Sequence, residues 1–148
     1  MRLADGCLLL PNSGADPLLV QQLATRAVTL GNTGGDGYFQ ACKGLSEYRE
    51  GRFSEACDWA DKAPQNSELF AQAEGCAVMA MAQWRLGQRD VARAALSQGD
   101  RLAPKISSTG ALDLGGGWLD WLVARILLDE ATKLLADGSA SPNNSRTQ

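Results

Sequence analysis

The chain has 148 residues, of which 45% are hydrophobic and 21% charged, with a formal net charge of −3. These values are typical of a single globular domain and exclude a disordered chain. The acidic balance disfavours DNA or RNA as a partner, because nucleic-acid-binding surfaces are basic. The sequence has no histidine, which removes histidine-dependent catalysis and histidine metal ligands. We therefore expect a protein that is not an enzyme and that binds no metal ion or cofactor.

The N-terminal segment lacks the features of a targeting sequence. Its apolar run, residues 7–10, is shorter than the roughly 7–15 residues of a signal-peptide core or the roughly 20 of a membrane span. We therefore expect a cytoplasmic protein with no membrane association. The cysteines lack the spacing of a zinc or redox motif. Three of them lie on the apolar side of predicted helices, where a thiol acts as a small hydrophobe; a disulfide or a reactive thiol is the alternative. The four are Cys7, Cys42, Cys57 and Cys76.

Nearly every segment has the periodicity of a helix. Asp16 followed by Pro17 predicts the start of the first helix, because aspartate is a good N-cap and proline suits the first helical position. That helix ends before Gly31. Further helices are predicted over residues 38–50, 53–63, 67–87, 89–102 and 118–137, and loops over residues 32–37 and 105–117. Residues 138–148 are polar, and we expect a disordered tail there.

Two of the predicted helix pairs are similar in sequence. Gly51 and Gly87, which end the first helix of each pair, are 36 residues apart, and so are Ala56 and Ala92 in the second helices. A glycine at each corner turns the chain, and an alanine at each helix crossing allows close approach. These positions define two internal repeats, over residues 38–63 and 74–99.

The pattern of a small residue, a corner glycine and a following alanine resembles the tetratricopeptide repeat. The first copy carries it at Gly44, Gly51, Phe53, Ala56 and Ala63. The second keeps Ala80, Gly87, Ala92 and Leu96, but has Arg89 in place of the aromatic residue and Gly99 in place of the last alanine. The resemblance implies an all-α fold, a right-handed superhelix of antiparallel helix hairpins. About two full repeats would lie within a domain of residues 1–137, with Trp118–Asp137 as a capping helix; a helical bundle with a chance match is the alternative.

A narrower resemblance covers residues 38–53, 80–87 and 118–127. These segments are similar to the repeats that follow the kinase domain in large bacterial serine/threonine protein kinases. The sequence itself has no glycine-rich strand loop, no His-Arg-Asp motif and no Asp-Phe-Gly motif, so no phosphotransfer activity is implied. Because the chain begins inside a repeat, we expect either a shortened product of a longer gene or an open end that docks onto another surface.

The tetratricopeptide resemblance also implies a binding site. In such arrays the first helix of each pair lines a concave groove, and Arg49 and Arg85 occupy equivalent positions in it. Two adjacent guanidinium groups favour an acidic peptide or a carboxylate, whereas pairing of each arginine with a nearby carboxylate is the alternative. The predicted groove residues are Tyr38, Leu45, Tyr48, Arg49, Met81, Trp84 and Arg85.

A second candidate surface is the start of the last helix, where Trp118 and Trp121 are three residues apart. They either pack into the core or form an exposed aromatic patch for a partner or a second copy. The sequence therefore predicts a non-catalytic interaction module that binds a peptide or helix of a partner protein. The alternative is a truncated regulatory or structural appendage of a kinase-type protein that self-associates as a homodimer.

Overall fold

A computed structural model describes residues 7–9, 14–30, 36–62, 68–103 and 118–138. All regular secondary structure in these ranges is helical, which confirms the predicted all-α fold for this part of the chain. Residues 7–9 are helical. The longer helices are α1 Pro17–Leu30, α2 Asp36–Arg49, α3 Phe53–Lys62, α4 Leu69–Arg85, α5 Arg89–Leu102 and α6 Trp118–Asp137.

The helices begin and end within two residues of the positions predicted from the sequence. At the start of α1 the Oδ1 atom of Asp16 accepts a hydrogen bond of 2.9 Å from the backbone N–H of Leu18. Asp16 is therefore the predicted N-cap of a helix that begins at Pro17. The predicted loops over residues 32–37 and 105–117 lie mostly or entirely outside the described residues, as does the predicted tail from residue 139 onward.

The centre of the structure is α4, which packs against α2, α3, α5 and α6, while α1 packs against α2. Buried residues occur on all sides of α4, including Val78 and Met81, because it has neighbours in every direction. From α6, Leu127 and Leu128 complete this core. Close packing on several sides requires short side chains at the contacts, and the alanines of α4 provide them.

The corners that join α2 to α3 and α4 to α5 have the same geometry. Gly51 and Gly87 have φ angles of 78° and 81°, in the left-handed region that side chains with a Cβ atom disfavour. Each corner has the two backbone hydrogen bonds of a helix C-terminal glycine motif. They run from Gly51 N–H to Tyr48 O and Arg52 N–H to Glu47 O, and from Gly87 N–H to Trp84 O and Gln88 N–H to Gln83 O.

The helix crossings are as close as the small residues predict. A Cβ atom added to Gly44 would lie 3.3 Å from the carbonyl oxygen of Ala56 and 3.4 Å from the backbone nitrogen of Ala60. In the second pair the equivalent residues, Ala80 and Ala92, are fully buried. The first pair thus has a glycine where its two helices touch, and the second pair buries an alanine at each equivalent position.

The cysteines are free thiols, and Cys42, Cys57 and Cys76 are buried, as predicted for small hydrophobes. Burial raises the pKa of the Cys76 thiol. Burial, with a smaller contribution from the charge of Asp58, raises the pKa of Cys57 to about 11. Within the described ranges, no helix combines the length and apolar character needed to cross a lipid bilayer.

Candidate functional site

The predicted concave groove is filled by the protein's own side chains. Leu45, Tyr48 and Met81 are buried in one cluster with residues of α6, and no more than 8% of any of the three is exposed. Trp84 is also buried, beside Leu135. The groove prediction treated these positions as a surface, and in this respect it was wrong. The physical reason is that the buried face of α6 packs against α4, while α1 packs against α2, which carries Leu45 and Tyr48. The buried residues of α6 are Ala124, Leu127, Leu128, Ala131 and Leu135.

Arg49 is held by this same packing. Its guanidinium makes a two-pronged ion pair with the carboxylate of Glu130 in α6, with N···O distances of 2.5 and 2.7 Å. Its Nε donates a hydrogen bond of 2.9 Å to the carbonyl oxygen of Leu8. The equivalent residue, Arg85, is exposed. For Arg49 the alternative of pairing with a carboxylate is therefore correct, and the two equivalent arginines have different surroundings.

An aromatic cluster joins α2, α4 and α6. The ring of Phe70 makes edge contacts with Tyr38 and Trp121, at centroid distances of 6.4 and 6.3 Å. Tyr38 also contacts Phe39 at 5.8 Å. Tyr38 therefore belongs to this cluster, although the sequence placed it in the groove. Trp121 packs against the core, which was one of the two roles predicted for it.

Trp118 differs from Trp121, since it is 57% exposed. Residues three apart on a helix differ by about 60° in direction, and the edge of the core falls between these two tryptophans. The exposed apolar residues of α6 recur every four positions, at Trp118, Leu122 and Ile126. We call these three residues the α6 stripe. Leu122 and Ile126 were missed from the sequence, because this part of α6 is apolar on nearly every side.

The first corner contains a compact network of charges. Lys43 Nζ lies 2.5 Å from a carboxylate oxygen of Glu47, and both residues are only 6% exposed. Arg52 donates to Glu47 through Nε and pairs with Glu50 at 2.5 Å. Burial alone would raise the pKa of Glu47, but the hydrogen bonds from Arg52 and Lys43 outweigh it and place that pKa below the usual 4.5. Glu47 is therefore an ionised carboxylate that stabilises the corner.

The second corner has no such network among its equivalent residues. Gln83, the counterpart of Glu47, contacts the sulfur of Met79 at 3.7 Å. The ring of Trp84 is covered by the Arg89 guanidinium at 3.6 Å from the ring centroid, whereas its counterpart Tyr48 contacts Phe53 at 5.6 Å. An arginine therefore replaces an aromatic ring at the same position, and it brings a positive charge to the surface.

Positive charge continues along α5, since residues 85–102 carry four arginines and two aspartates in a chain of net charge −3. Beside them lies an open groove of about 550 Å³, which we call the α5–α6 groove. It forms because α6 packs closely on α4 but only sparsely on α5. This site was not predicted from the sequence, although four closely spaced arginines in an acidic chain are a usable signal. Its lining residues are Arg93, Leu96, Ser97, Asp100, Arg101, Leu135 and Ala136.

α6 comes close to α5 at Gly99. A Cβ atom added there would lie 2.6 Å from Cδ2 of Leu128 and 3.1 Å from the Cβ of Cys76. Next to this contact, Arg125 of α6 approaches Asp100 of α5 at 3.3 Å. The absence of a side chain at Gly99 therefore lets Leu128 of α6 come close to the backbone of α5, beside the α5–α6 groove.

No metal site emerges from the described residues, since none of their Cys, Asp and Glu side chains form a group of three or more that could hold an ion. Comparisons of the chain with protein-family models, with curated proteins and with solved structures find no match.

Proposed function

We propose that the protein is a non-catalytic protein–protein interaction module, built as a short tetratricopeptide-like superhelix. Three observations support this architecture: the equivalent corners at Gly51 and Gly87, the small residues at both helix crossings, and the packing of each helix against its neighbours along the chain. Stacked helix pairs of this kind leave long surfaces exposed and act by binding partners. A cytoplasmic location belongs to the same proposal.

The observation that carries the proposal is the α5–α6 groove. The residues predicted to line a concave groove, Leu45, Tyr48, Met81 and Trp84, are buried, so they offer no open site to a partner. The groove is open, has apolar side chains from Leu96, Leu135 and Ala136, and has Arg93 and Arg101 along its edge. Apolar contact area bordered by arginines is the composition that protein-binding surfaces favour.

Affinity capture from the source cells tests this function. We expect the wild-type protein to retain specific proteins that the double variant Arg93→Glu/Arg101→Glu loses. The control is Arg26→Glu/Lys62→Glu, which changes the net charge equally at exposed positions on α1 and α3. Circular dichroism verifies that both variants fold. Capture of the same proteins by all three forms, or of none by the wild type, would contradict the proposal.

The α6 stripe favours a second candidate function, a self-associating structural or regulatory appendage of a kinase-type protein. Trp118, Leu122 and Ile126 form an apolar row on one exposed side of a helix, and such a row suits a two-fold interface in which the same patch meets itself. Sedimentation velocity should then show a dimer that Leu122→Lys converts to a monomer. A wild-type protein that remains monomeric at every concentration would remove this candidate.

A further inference from the structure

The α5–α6 groove has a defined length and chemistry. Arg93 and Arg101 are eight residues apart on α5, a separation of two helical turns or about 12 Å. Leu96 lies between them, and Leu135 and Ala136 of α6 form the opposite wall. A surface with an apolar centre and a positive charge near each end therefore runs along two turns of α5.

The carboxylates near the groove reduce its positive charge only in part. Asp100, which lines the groove, lies 3.3 Å from Arg125 of α6, and this arginine offsets part of its negative charge. Asp90 approaches Arg93 at 3.4 Å, but both side chains are more than half exposed, and such pairs are weak. Arg89 adds a further charge near Arg93, since both guanidinium groups lie over Trp84, at 3.6 and 5.7 Å from its ring centroid.

The spacing favours a helix over an extended peptide. An acidic residue repeated every seven or eight positions of a partner helix recurs about every two turns, on one side, and so matches both arginines. Apolar residues between them on the same helix would contact Leu96 and Leu135. This is the recognition mode in which an amphipathic helix lies in a groove.

From this geometry we infer that the α5–α6 groove binds an acidic amphipathic helix of a partner protein. The inference rests on the proposed function, because it names the partner of that same site. Carboxylates of the partner would pair with Arg93 and Arg101, and its leucine-type side chains would cover the apolar floor. Arginine suits this role because its planar group binds a carboxylate through two parallel hydrogen bonds.

Two synthetic peptides of about 18 residues, or five helical turns, test the partner chemistry. One has leucines along one helical face and glutamates beside them; the other has lysine at every glutamate position. Fluorescence anisotropy should show that the glutamate peptide binds the wild-type protein and that Arg93→Glu/Arg101→Glu weakens binding about tenfold or more, which corresponds to about 1.4 kcal/mol. The same variant should bind the lysine peptide more tightly than the wild type does, and salt should weaken both interactions.

The remaining outcomes separate the inference from the proposed function. Equal binding of the glutamate peptide to the wild type and to the double variant would overturn the inference, as would tighter binding of the lysine peptide to the wild type. If the wild type binds neither peptide but its captured proteins are still lost by the double variant, the partner chemistry is wrong and the interaction function stands. If the wild type dimerises and the double variant does not, the occupant is a second copy and the inference fails.

Discussion

The two helix pairs, α2–α3 and α4–α5, share a backbone corner but differ in what surrounds it. In the first pair, Lys43 and Glu47 are buried charges that neutralise one another. In the second, the same positions carry Met79 and Gln83, which need no such compensation. The corner geometry therefore depends on the glycine and its backbone hydrogen bonds, while the flanking side chains are free to diverge.

The two pairs also differ in how α6 packs on them. The first pair packs on α4 and binds α6 through the ion pair of Arg49 with Glu130, while residues of α3 such as Asp58 and Lys62 stay exposed. The second pair is covered by α6 along α4 but only sparsely along α5, so the arginines of α5 stay in contact with solvent. The α5–α6 groove therefore lies on the second pair.

The largest difference in stability between the two pairs is expected when Glu47 is replaced. Glu47→Ala leaves Lys43 buried without its partner, so we expect a loss of about 3–5 kcal/mol in the free energy of unfolding. The matched change Gln83→Ala should cost within about 1 kcal/mol. Urea unfolding followed by circular dichroism measures both values. Equal losses at the two positions would show that the charge network does not distinguish the corners.

Acid should unfold the protein partly through the same carboxylate. Because the pKa of Glu47 lies below 4.5 in the folded protein, its stabilising contribution is complete above that pH and is lost as the pH falls through the folded-state pKa. The triple variant Lys43→Met/Glu47→Gln/Arg52→Gln, which installs the residues of the second corner, should lose less stability on acidification. Urea unfolding curves measured at a series of pH values give the free energy of unfolding of this variant and of the wild type. An equal loss of that free energy on acidification in both proteins would contradict this prediction.

The next largest difference in stability is expected between the equivalent arginines, Arg49 and Arg85. Arg49→Ala removes two hydrogen bonds to Glu130 and should cost about 1.5–3 kcal/mol, whereas Arg85→Ala should lie within about 0.5 kcal/mol of the wild type. A double-mutant cycle with Glu130→Ala isolates the ion pair. Additive losses in that cycle would mean that α6 is not anchored through Arg49.

The corner glycines should respond alike. Gly51→Ala and Gly87→Ala both force a Cβ atom into left-handed backbone, at a cost of about 1–2 kcal/mol each. Open space surrounds both positions, so the conformation alone sets the cost. Thermal and urea unfolding measure the two losses. A neutral result at one glycine, with a loss at the other, would break the equivalence of the corners.

The smallest effect is expected where arginine replaces the aromatic ring. Arg89→Ala removes the guanidinium above Trp84 and should cost about 0.5–1 kcal/mol. The change should also shift the tryptophan fluorescence, because Trp84 loses a cation from its ring face. Arg89→Phe, which installs the residue of the first corner, serves as the control and should keep most of the stability. If neither variant changes the free energy of unfolding or the tryptophan fluorescence, Arg89 has no packing role at this corner.

Local chemistry made much of the fold predictable from the sequence. Asp16 and Pro17 identify the start of a helix, and Gly51 and Gly87 identify two corners, because each of these residues acts on its own backbone. Cysteines on the apolar faces of the predicted helices were predicted to be buried for similar reasons. These signals depend on neighbours only a few residues away.

The site was less predictable because it depends on where α6 packs. Arg49 and Glu130 are 81 residues apart in sequence, and no periodic pattern relates them. The groove prediction assumed that the face formed by Leu45 and Met81 stays open, whereas α1 packs on α2 and the buried face of α6 packs on α4. Gly99, which departs from the repeat pattern, allows the contact that leaves the α5–α6 groove beside it.

The central claim is that recognition occurs between α5 and α6 and that the concave face stays closed. Nuclear magnetic resonance titration of the isotope-labelled protein with the glutamate peptide tests it residue by residue. We expect the shifted backbone signals to cluster at Arg93, Leu96, Arg101 and Ala136. Shifts that cluster instead at Leu45 and its buried neighbours would contradict the claim, because a ligand reaches those residues only after the helices packed around them have moved apart.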